Sequence, residues 1–348
     1  MSRKGFLFVV CLIFSGCAAQ KTEHWKVEVN NGIETEVPIN SVEPNVMFVP
    51  FQIGELSKRN FLLSRPSDDS VFIPVQIDKG QVINFLFSTS SHDTVLLGNK
   101  RTRGASWQSI GGGFSPELIP GFEQYDRFIA TKGKTLNIGD ATFDNVNLFR
   151  VNEDEFLTKK LAPNFSVDGY IGGLLLSSYI VDVDRKNDKF RLRPKDTDLK
   201  AELSQYENVV TLPVRRNNGK IFTKLPVQIN ENDAPVPMLL SIESAIPTGI
   251  LFPNSFDKKI IKGSQYEIFD AKYPTDKVEG IVLRKITQIS TNAYDFKDIN
   301  ALYLSFNDDS LQTTSSIRNY GILGAEFLAR SRNIYDLDHN VMYLIPYE

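Results

Sequence analysis

The sequence predicts a mostly β protein in which one β-rich unit is present twice. The evidence is a strand-turn-strand segment that occurs in two matching copies, and an apolar-apolar-glycine element that follows each copy. The matched pairs lie 152 or 153 positions apart: Ile73–Ile77 with Leu225–Ile229, Phe85–Ser90 with Met238–Glu243, and Tyr170–Gly172 with Ile322–Gly324. Unrelated strands would not keep one separation over such a distance, so an internal duplication is the simplest explanation.

The first 17 residues predict a targeting segment that is removed from the fold. Arg3 and Lys4 precede an apolar run over Gly5–Phe14, which is too short to span a bilayer. The run ends in Ser15-Gly16-Cys17, which resembles a bacterial lipobox. The resemblance implies that Cys17 is acylated and becomes the mature N-terminus, and the following Ala18 favours the outer membrane. An ordinary secretory signal cleaved nearby is the alternative.

Residues 18–60 are expected to form a tether and N-terminal strands that dock on the first lobe. Alternation of polar and apolar residues over Trp25–Val29 and Ile33–Val37, around Asn30-Asn31-Gly32, predicts a hairpin. A polar tether throughout is the alternative. Cysteine occurs only at positions 11 and 17, so a disulfide framework is not expected.

The first lobe is predicted over residues 61–197. Strands over Val71–Ile77 and Val82–Phe87 flank a turn, and Thr94–Leu97 continues in β structure. A glycine-rich run follows at Ile110–Phe114. Later elements are a hairpin over Leu136–Phe143, a short helix over Leu174–Tyr179, and a closing hairpin of Ile180–Asp184 with Lys189–Leu192.

A charged, weakly periodic linker is predicted over residues 198–208, and the second lobe over residues 209–348. The second lobe repeats the order of the last elements of the first. The repeated elements are Tyr320–Gly324, a helix over Ala325–Arg330, and a closing hairpin of Asn333–Asp338 with Val341–Ile345.

This order of elements resembles the two-lobed aspartic proteases, the pepsin and retropepsin-like group, over roughly residues 60 to 348. In that family each lobe carries Asp-Thr/Ser-Gly after its second strand, and an apolar-apolar-glycine element packs against this loop. The matched positions here read Ser88-Thr89-Ser90 and Ser241-Ile242-Glu243. The resemblance therefore implies an aspartic-protease-like fold in which both catalytic aspartates are replaced by serine.

Loss of both aspartates predicts loss of the family's chemistry. Aspartic proteolysis needs two adjacent carboxyl groups that share a proton, and a serine hydroxyl does not act as such a base. We therefore expect Ser88 and Ser241 to be degenerate dyad positions that line a cleft. The remaining cleft candidates are Thr89, Ser90, Ile242, Glu243 and the glycines of a run that resembles the retropepsin flap: Gly111, Gly112 and Gly113. A plain surface loop is the alternative for that run.

Three other chemistries are compatible with the residue types. Asp93 and Glu243 would form a displaced dyad, but their offsets from the serines break the symmetry. Ser88, His92 and Asp93 have the residue types of a serine triad, although adjacent His and Asp are poorly placed for one. The pairs Asp182/Asp184 and Asp336/Asp338 have spacing that suits metal ligation, but turn capping is the commoner role. No metal or cofactor is predicted.

These observations predict a non-catalytic, lipid-anchored envelope protein that binds an extended peptide or an envelope protein in its cleft. An active envelope peptidase that uses non-standard residues and a structural lipoprotein with a vestigial cleft are the alternatives. The net charge of −3 and the absence of a basic block argue against a nucleic-acid partner. The expected location is the bacterial cell envelope, at the outer membrane facing the periplasm or the surface.

Overall fold

The computed structural model describes ten segments of the chain: residues 28–30, 33–40, 69–91, 94–98, 129–152, 168–217, 219–246, 248–252, 281–304 and 320–347. Strands make up most of them. The strands of the first half are β1 (Glu28–Asn30), β2 (Thr35–Pro38), β3 (Phe72–Ile77), β4 (Val82–Phe87), β5 (Thr94–Gly98), β6 (Ile129–Ile138), β7 (Ala141–Asn152), β8 (Gly169–Ile171), β9 (Ile180–Asp184) and β10 (Lys189–Arg193).

The second half continues with strands and short helices. Its strands are β11 (Val210–Pro213), β12 (Arg215–Asn217), β13 (Lys220–Gln228), β14 (Val236–Ile242), β15 (Ile250–Phe252), β16 (Ile281–Ser290), β17 (Asp295–Leu304), β18 (Tyr320–Leu323), β19 (Ser331–Asp336) and β20 (Val341–Pro346). The helices of the described residues are α1 (Gly173–Ser178), α2 (Lys200–Leu203) and α3 (Ala325–Leu328), with one 3₁₀ turn at Arg185–Asn187.

Each lobe contains a closed barrel of six strands. In the first lobe the order is β7-β5-β8-β4-β3-β6, and β6 pairs with β7 to close the ring, while β1 adds to its edge. In the second lobe the order is β13-β14-β18-β15-β17-β16, closed by β13 with β16, and β12 adds to its edge. Closure removes the free strand edges that an open sheet would expose.

A third sheet of six strands joins the lobes in the order β11-β20-β19-β9-β10-β2. Its central pair is β9 of the first lobe with β19 of the second, with Val183 opposite Asn333. This sheet supports the end of β4, because Phe87 at that end packs edge-on against Phe190 and Tyr335 of the sheet. The ring centroids of Phe87 lie 5.2 Å from Phe190 and 5.9 Å from Tyr335.

Alternating burial explains why these segments are strands. In β13 the buried positions are every second residue, from Ile221 to Val227, and the intervening side chains are half-buried or exposed. The period of two puts one face on the barrel core and the other toward solvent. The two central strands of the sheet that joins the lobes, β9 and β19, are buried on both faces along their whole length.

The predicted fold class is confirmed: the protein is mostly β, two-lobed and duplicated, with few short helices. The predicted N-terminal hairpin is wrong, since β1 pairs with β7 and β2 pairs with β10, in two different sheets. Turn capping, expected at Asp184 and Asp338, is confirmed at Asp184, but in the second lobe it is performed by Asp336 instead of Asp338. Asp184 accepts a hydrogen bond from the Asn187 amide and Asp336 from the His339 amide, both at 3.3 Å.

Within the described ranges, no helix is both long and apolar enough to cross a membrane.

Candidate functional site

Two loops of equivalent structure meet between the lobes, one after β4 and one after β14. The Ser88 amide donates to the carbonyl of Ile171 at 2.9 Å, and the Glu243 amide donates to the carbonyl of Leu323 at 2.8 Å. Both contacts continue a parallel pairing, of β4 with β8 and of β14 with β18. The structural counterpart of Ser88 is therefore Glu243, which lies 155 positions further along the chain.

The next turn of each loop supports this equivalence. The Ser91 amide donates to the Ser88 carbonyl, and the Ile246 amide donates to the Glu243 carbonyl in the same way. The carbonyl of each turn then accepts from the first residue of a short helix: Gly173 donates to Ser91, and Ala325 donates to Ile246, both at 2.6 Å. Each loop is thus held at both ends by its own lobe.

Thr89 and Ser244 interlock the two loops. The Thr89 amide donates to Ser244 Oγ at 3.1 Å, and the Ser244 amide donates to Thr89 Oγ1 at 3.0 Å. Each hydroxyl then donates across the junction to a backbone carbonyl. Thr89 Oγ1 donates to Ile242 and Ser244 Oγ donates to Phe87, both at 2.7 Å. The four bonds are reciprocal, so they fix the two loops against each other without a flexible side chain.

Ser88 and Glu243 are in direct contact at this junction. Ser88 Oγ donates to Glu243 Oε1 at 3.0 Å, and the Ala245 amide donates to the same oxygen at 3.1 Å. Both side chains are buried, with 0% of Ser88 and 2% of Glu243 exposed. A buried carboxylate costs free energy unless its oxygens are hydrogen-bonded, so the donors to Oε1 matter for whether this group is ionised.

Burial dominates the titration of Glu243. Desolvation raises its pKa, against the lowering effect of the Ala245 amide, the Ser88 hydroxyl, the charge of Lys220 and the Ser90 amide, and the resulting pKa is about 7. The carboxyl group is therefore close to half-ionised at neutral pH. An ordinary exposed glutamate would be fully ionised there.

The second oxygen of Glu243 is not satisfied. In the described residues, Oε2 of Glu243 and Oγ of Ser90 are both buried and have no hydrogen-bond partner. The backbone amide of Ser90, on the opposite loop, interacts with the carboxyl group and lowers its pKa, while Oε2 itself has no hydrogen-bond partner. The two unsatisfied oxygens belong to opposite loops and lie at the junction that Thr89 and Ser244 hold together.

The predicted pairing of Ser88 with Ser241 is corrected by the strand register. Ser241 lies within β14 opposite Ile322, and its hydroxyl shares a hydrogen bond of 2.9 Å with the hydroxyl of Tyr320. The hydroxyl of Ser241 is therefore bonded to a neighbouring strand of its own barrel, whereas Ser88 is bonded to Glu243. Burial raises the pKa of Tyr320, so this phenol stays neutral.

The other predicted residues divide into two groups. The structure brings together Thr89, Ser90, Ile242 and Glu243 at the junction, and it adds Ser244, which sequence reasoning missed. The sequence does contain a signal for Ser244. The triplet Glu243-Ser244-Ala245 has a hydroxyl residue at its middle position, as Ser88-Thr89-Ser90 does. The remaining predicted residues lie outside the described part of the chain: Cys17, His92, Asp93, Gly111, Gly112 and Gly113.

Gly172 explains why the loop can sit so close to its own lobe. A Cβ atom at this position would lie 1.6 Å from the carbonyl oxygen of Ser88. Gly324 is the counterpart in the second lobe, where a Cβ would lie 2.1 Å from the Thr248 carbonyl oxygen. Glycine is needed at both positions because the backbones touch directly.

The buried aspartate of the central sheet serves structure. Asp182 is fully buried and accepts from Arg332 through both oxygens, at 2.8 and 2.7 Å, and from Arg193 at 2.8 Å. Arg332 also reaches Glu202 of α2, at 2.6 Å, within the segment predicted as a linker. Within the ranges that the structure describes, no group of His, Cys, Asp and Glu side chains is arranged to hold a metal ion.

Among the residues that the structure describes, the arrangement has one carboxyl group where the two-carboxylate mechanism needs two. Glu243 can accept or donate a proton near neutral pH, whereas the Ser88 hydroxyl can donate a hydrogen bond but cannot share a proton as a second carboxyl group does. Comparison of the sequence with family models and with curated proteins finds no match.

Proposed function

We propose that this chain is a non-catalytic, lipid-anchored protein of the bacterial envelope that binds an extended peptide or protein segment between its lobes. The observation that carries the proposal is the contact of Ser88 with Glu243. Two loops are held together by reciprocal hydrogen bonds, but the pair at their centre contains one carboxyl group and one hydroxyl group. This pairing supports a two-lobed scaffold that binds without the shared-proton chemistry of two carboxyl groups.

A rigid junction suits binding. If the two loops were flexible, ordering them on binding a ligand would cost free energy. Loops that are already ordered avoid this cost. Thr89 and Ser244 supply that order through buried contacts of 2.7 to 3.1 Å. An extended segment that lies over them would use backbone hydrogen bonds for affinity and side-chain pockets for specificity.

The envelope location rests on the N-terminal sequence. The charged start, the short apolar run and the Ser15-Gly16-Cys17 junction support export and acylation. Several acyl chains at Cys17 would hold the protein stably at a membrane, since a single chain binds only marginally. The peptide-binding cleft would then act on partners at the membrane surface.

The test combines cleavage and binding on one substrate. Fluorescein-labelled, unfolded casein is incubated with the purified protein between about pH 4 and pH 8. We expect saturable binding by fluorescence anisotropy without new fragments on a gel, and no effect of pepstatin. Hydrogen exchange then locates the contact: protection should increase at residues 88–91 and 243–246 and stay unchanged at the outer turn of Thr291–Tyr294. Binding that protects only the outer turn would refute the cleft.

One observation favours an alternative, an active peptidase. Glu243 has a pKa of about 7 and accepts a hydrogen bond from Ser88, so it can serve as a base near neutral pH. This reading predicts casein cleavage that Ser88→Ala and Glu243→Gln both abolish, with Ser241→Ala as the matched control that keeps it. Cleavage with this pattern would replace the binding proposal.

A further inference from the structure

Glu243 carries one satisfied and one unsatisfied oxygen, and this asymmetry indicates a ligand contact. Oε1 receives two hydrogen bonds, from Ser88 and from the Ala245 amide. Oε2 is buried and receives none from the described residues, and Ser90 Oγ, which belongs to the residue whose backbone amide interacts with this carboxyl group, is also buried without a partner. Buried polar atoms are almost always paired in native proteins, so two such atoms at one junction need an explanation.

The surrounding groups supply neither a hydrogen-bond donor nor a bonded cation to Oε2 of Glu243. Lys220 is the positive charge that acts on Glu243, and it does so through space, without a hydrogen bond to Oε2. Tyr320 and Tyr335 face the carboxyl group from β18 and β19, and burial, with the negative charge of Glu243 added, raises the pKa of each phenol. Both tyrosines are therefore neutral, and Lys220 acts only through space, so no cation is bonded directly to Oε2 of an ionised Glu243.

We propose that Oε2 of Glu243 and Oγ of Ser90 form a subsite for the ammonium group of a lysine side chain in the bound segment. The inference rests on the proposed function, since it names the residue that the cleft selects. An ammonium group is a donor of three hydrogen bonds and carries the charge that the carboxylate lacks. Ser90 Oγ is a second buried oxygen without a partner and can accept a hydrogen bond from the same group.

Lysine fits this subsite better than the other donors of a peptide. Oε2 has almost no exposed surface, so a ligand group must displace neighbouring side chains to reach it, and a compact group on a slim stem, such as the lysine ammonium, needs the smallest opening. The arginine guanidinium is a broad planar fork that needs a second acceptor pair. A neutral backbone amide would satisfy the hydrogen bond but leave the buried charge uncompensated.

Lysine binding at this subsite must be linked to protons. The ammonium group binds the ionised carboxylate, and the pKa of Glu243 is about 7, so binding competes with protonation below neutral pH. The ionised fraction falls about tenfold between pH 8 and pH 6 for a group of this pKa. We therefore expect the affinity for a lysine peptide to fall about tenfold over this interval, and the affinity for a glutamine analogue to stay flat.

The experiment uses the full-length protein in mild detergent. A phage-displayed library of random dodecapeptides is selected against it at pH 8, and one selected peptide is made with its lysine or with glutamine in that place. Affinities of both peptides are measured by titration calorimetry at pH 6 and pH 8, for the wild type, Glu243→Gln and Ser90→Ala. Glu231→Gln, which changes an exposed glutamate of the same lobe, is the matched control.

The expected result is enrichment of lysine in the selected peptides and a lysine preference of tenfold or more at pH 8. Glu243→Gln should remove the preference and the pH dependence, Ser90→Ala should weaken the preference, and Glu231→Gln should change neither. Peptides that are selected without lysine enrichment and whose binding ignores Glu243→Gln would overturn this inference and leave the cleft function standing. A library that yields no binding peptide would overturn the cleft function as well.

Discussion

The carboxyl group of Glu243 makes the stability of the lobe junction depend on pH. Glu243→Gln replaces this group with a neutral amide of the same shape, which can keep an oxygen acceptor for Ser88 and for the Ala245 amide. The substitution thus removes the ionisable group at position 243 and keeps most of its contacts. We expect the variant to be at least as stable as the wild type at pH 5 and clearly more stable at pH 8.

The magnitude follows from the displaced pKa. Glu243 has a pKa of about 7 in the folded protein, against 4.5 as its ordinary value. Because the folded value is raised, the folded state holds a proton that the unfolded state has lost between these two pH values. Stability therefore falls as pH rises from 4.5 to 7, by about 3 kcal/mol in total for a shift of this size, and then levels off.

Other displaced carboxyl groups act in a different pH range. Hydrogen bonds from Arg191 lower the pKa of Glu36. Burial works against ionisation of Glu202, but hydrogen bonds from Arg193 and Arg332 outweigh it and bring the pKa down to about 2. Both groups cost stability only as pH falls below about 4.5. The interval from pH 5 to pH 8 thus isolates Glu243 among these groups.

Urea unfolding followed by tryptophan fluorescence measures the effect. The wild type should lose about 3 kcal/mol of unfolding free energy between pH 5 and pH 8, and Glu243→Gln should lose much less. The control Glu231→Gln should follow the wild type. Equal pH profiles of the wild type and Glu243→Gln would show that this carboxyl group keeps its ordinary pKa and that the account of its burial is wrong.

Three further predictions follow from particular contacts. Cys17→Ala should abolish labelling by radioactive palmitate and release the protein from membranes, since Cys17 is the predicted acylation site. Gly172→Ala should destabilise the first lobe by several kcal/mol, because its Cβ would lie 1.6 Å from the Ser88 carbonyl oxygen, and urea unfolding should show it. Asp182→Asn should cost about 3 to 5 kcal/mol because it leaves buried arginines without their anion.

Each of these has a control and a refuting result. Palmitate labelling that persists in the Cys17 variant would refute the anchor. Unchanged unfolding of the Gly172 variant would mean that the loop contact relaxes freely. Asp338→Asn is the matched control for Asp182, because Asp338 makes an exposed ion pair with Lys195 that should contribute less than about 1 kcal/mol. Equal losses at Asp182 and Asp338 would argue against the buried cluster.

The repeat in the sequence was enough to predict the two-lobed β fold but not the residues at its centre. The separation between matching positions of the two lobes is not constant: it is larger for the loop after the hairpin than for the first strand. The reason is that the hairpin of the second lobe is longer. Position 82 pairs with Gln76 in the first lobe, whereas Val236 pairs with Val227 in the second. One constant offset therefore aligned Ser88 with Ser241 instead of with Glu243.

Alternation along the strand could not correct this error. Ser241 and Glu243 are two positions apart and thus have the same phase in a period of two, so burial patterns fit either residue. Only the parallel pairing of Leu323 with Ile242, and the amide of Glu243 on the Leu323 carbonyl, decides between them. Such pairing is a long-range contact that local sequence does not specify.

The prediction of an N-terminal hairpin was wrong for the opposite reason: a local signal was present, but long-range contacts overrode it. Asn30-Asn31-Gly32 is a strong local signal for a two-residue hairpin turn, and the flanking residues alternate as strands do. The structure nevertheless directs the strands on either side to two different sheets. The edges of β7 and β10 offer longer and better-buried partners than the two short strands offer each other, and this tertiary preference wins.

The exchange of hydrogen bonds between Thr89 and Ser244 has a consequence for the chain as two halves. Each hydroxyl satisfies a carbonyl and an amide that belong to the other lobe, so an isolated lobe would be left with unpaired groups at its exposed end. Two fragments divided near Ser204 would therefore be poorly soluble alone and would recover a native junction on mixing. The two lobes thus associate as the subunits of a dimer would. Because one chain links them, the effective concentration of each lobe for the other is high.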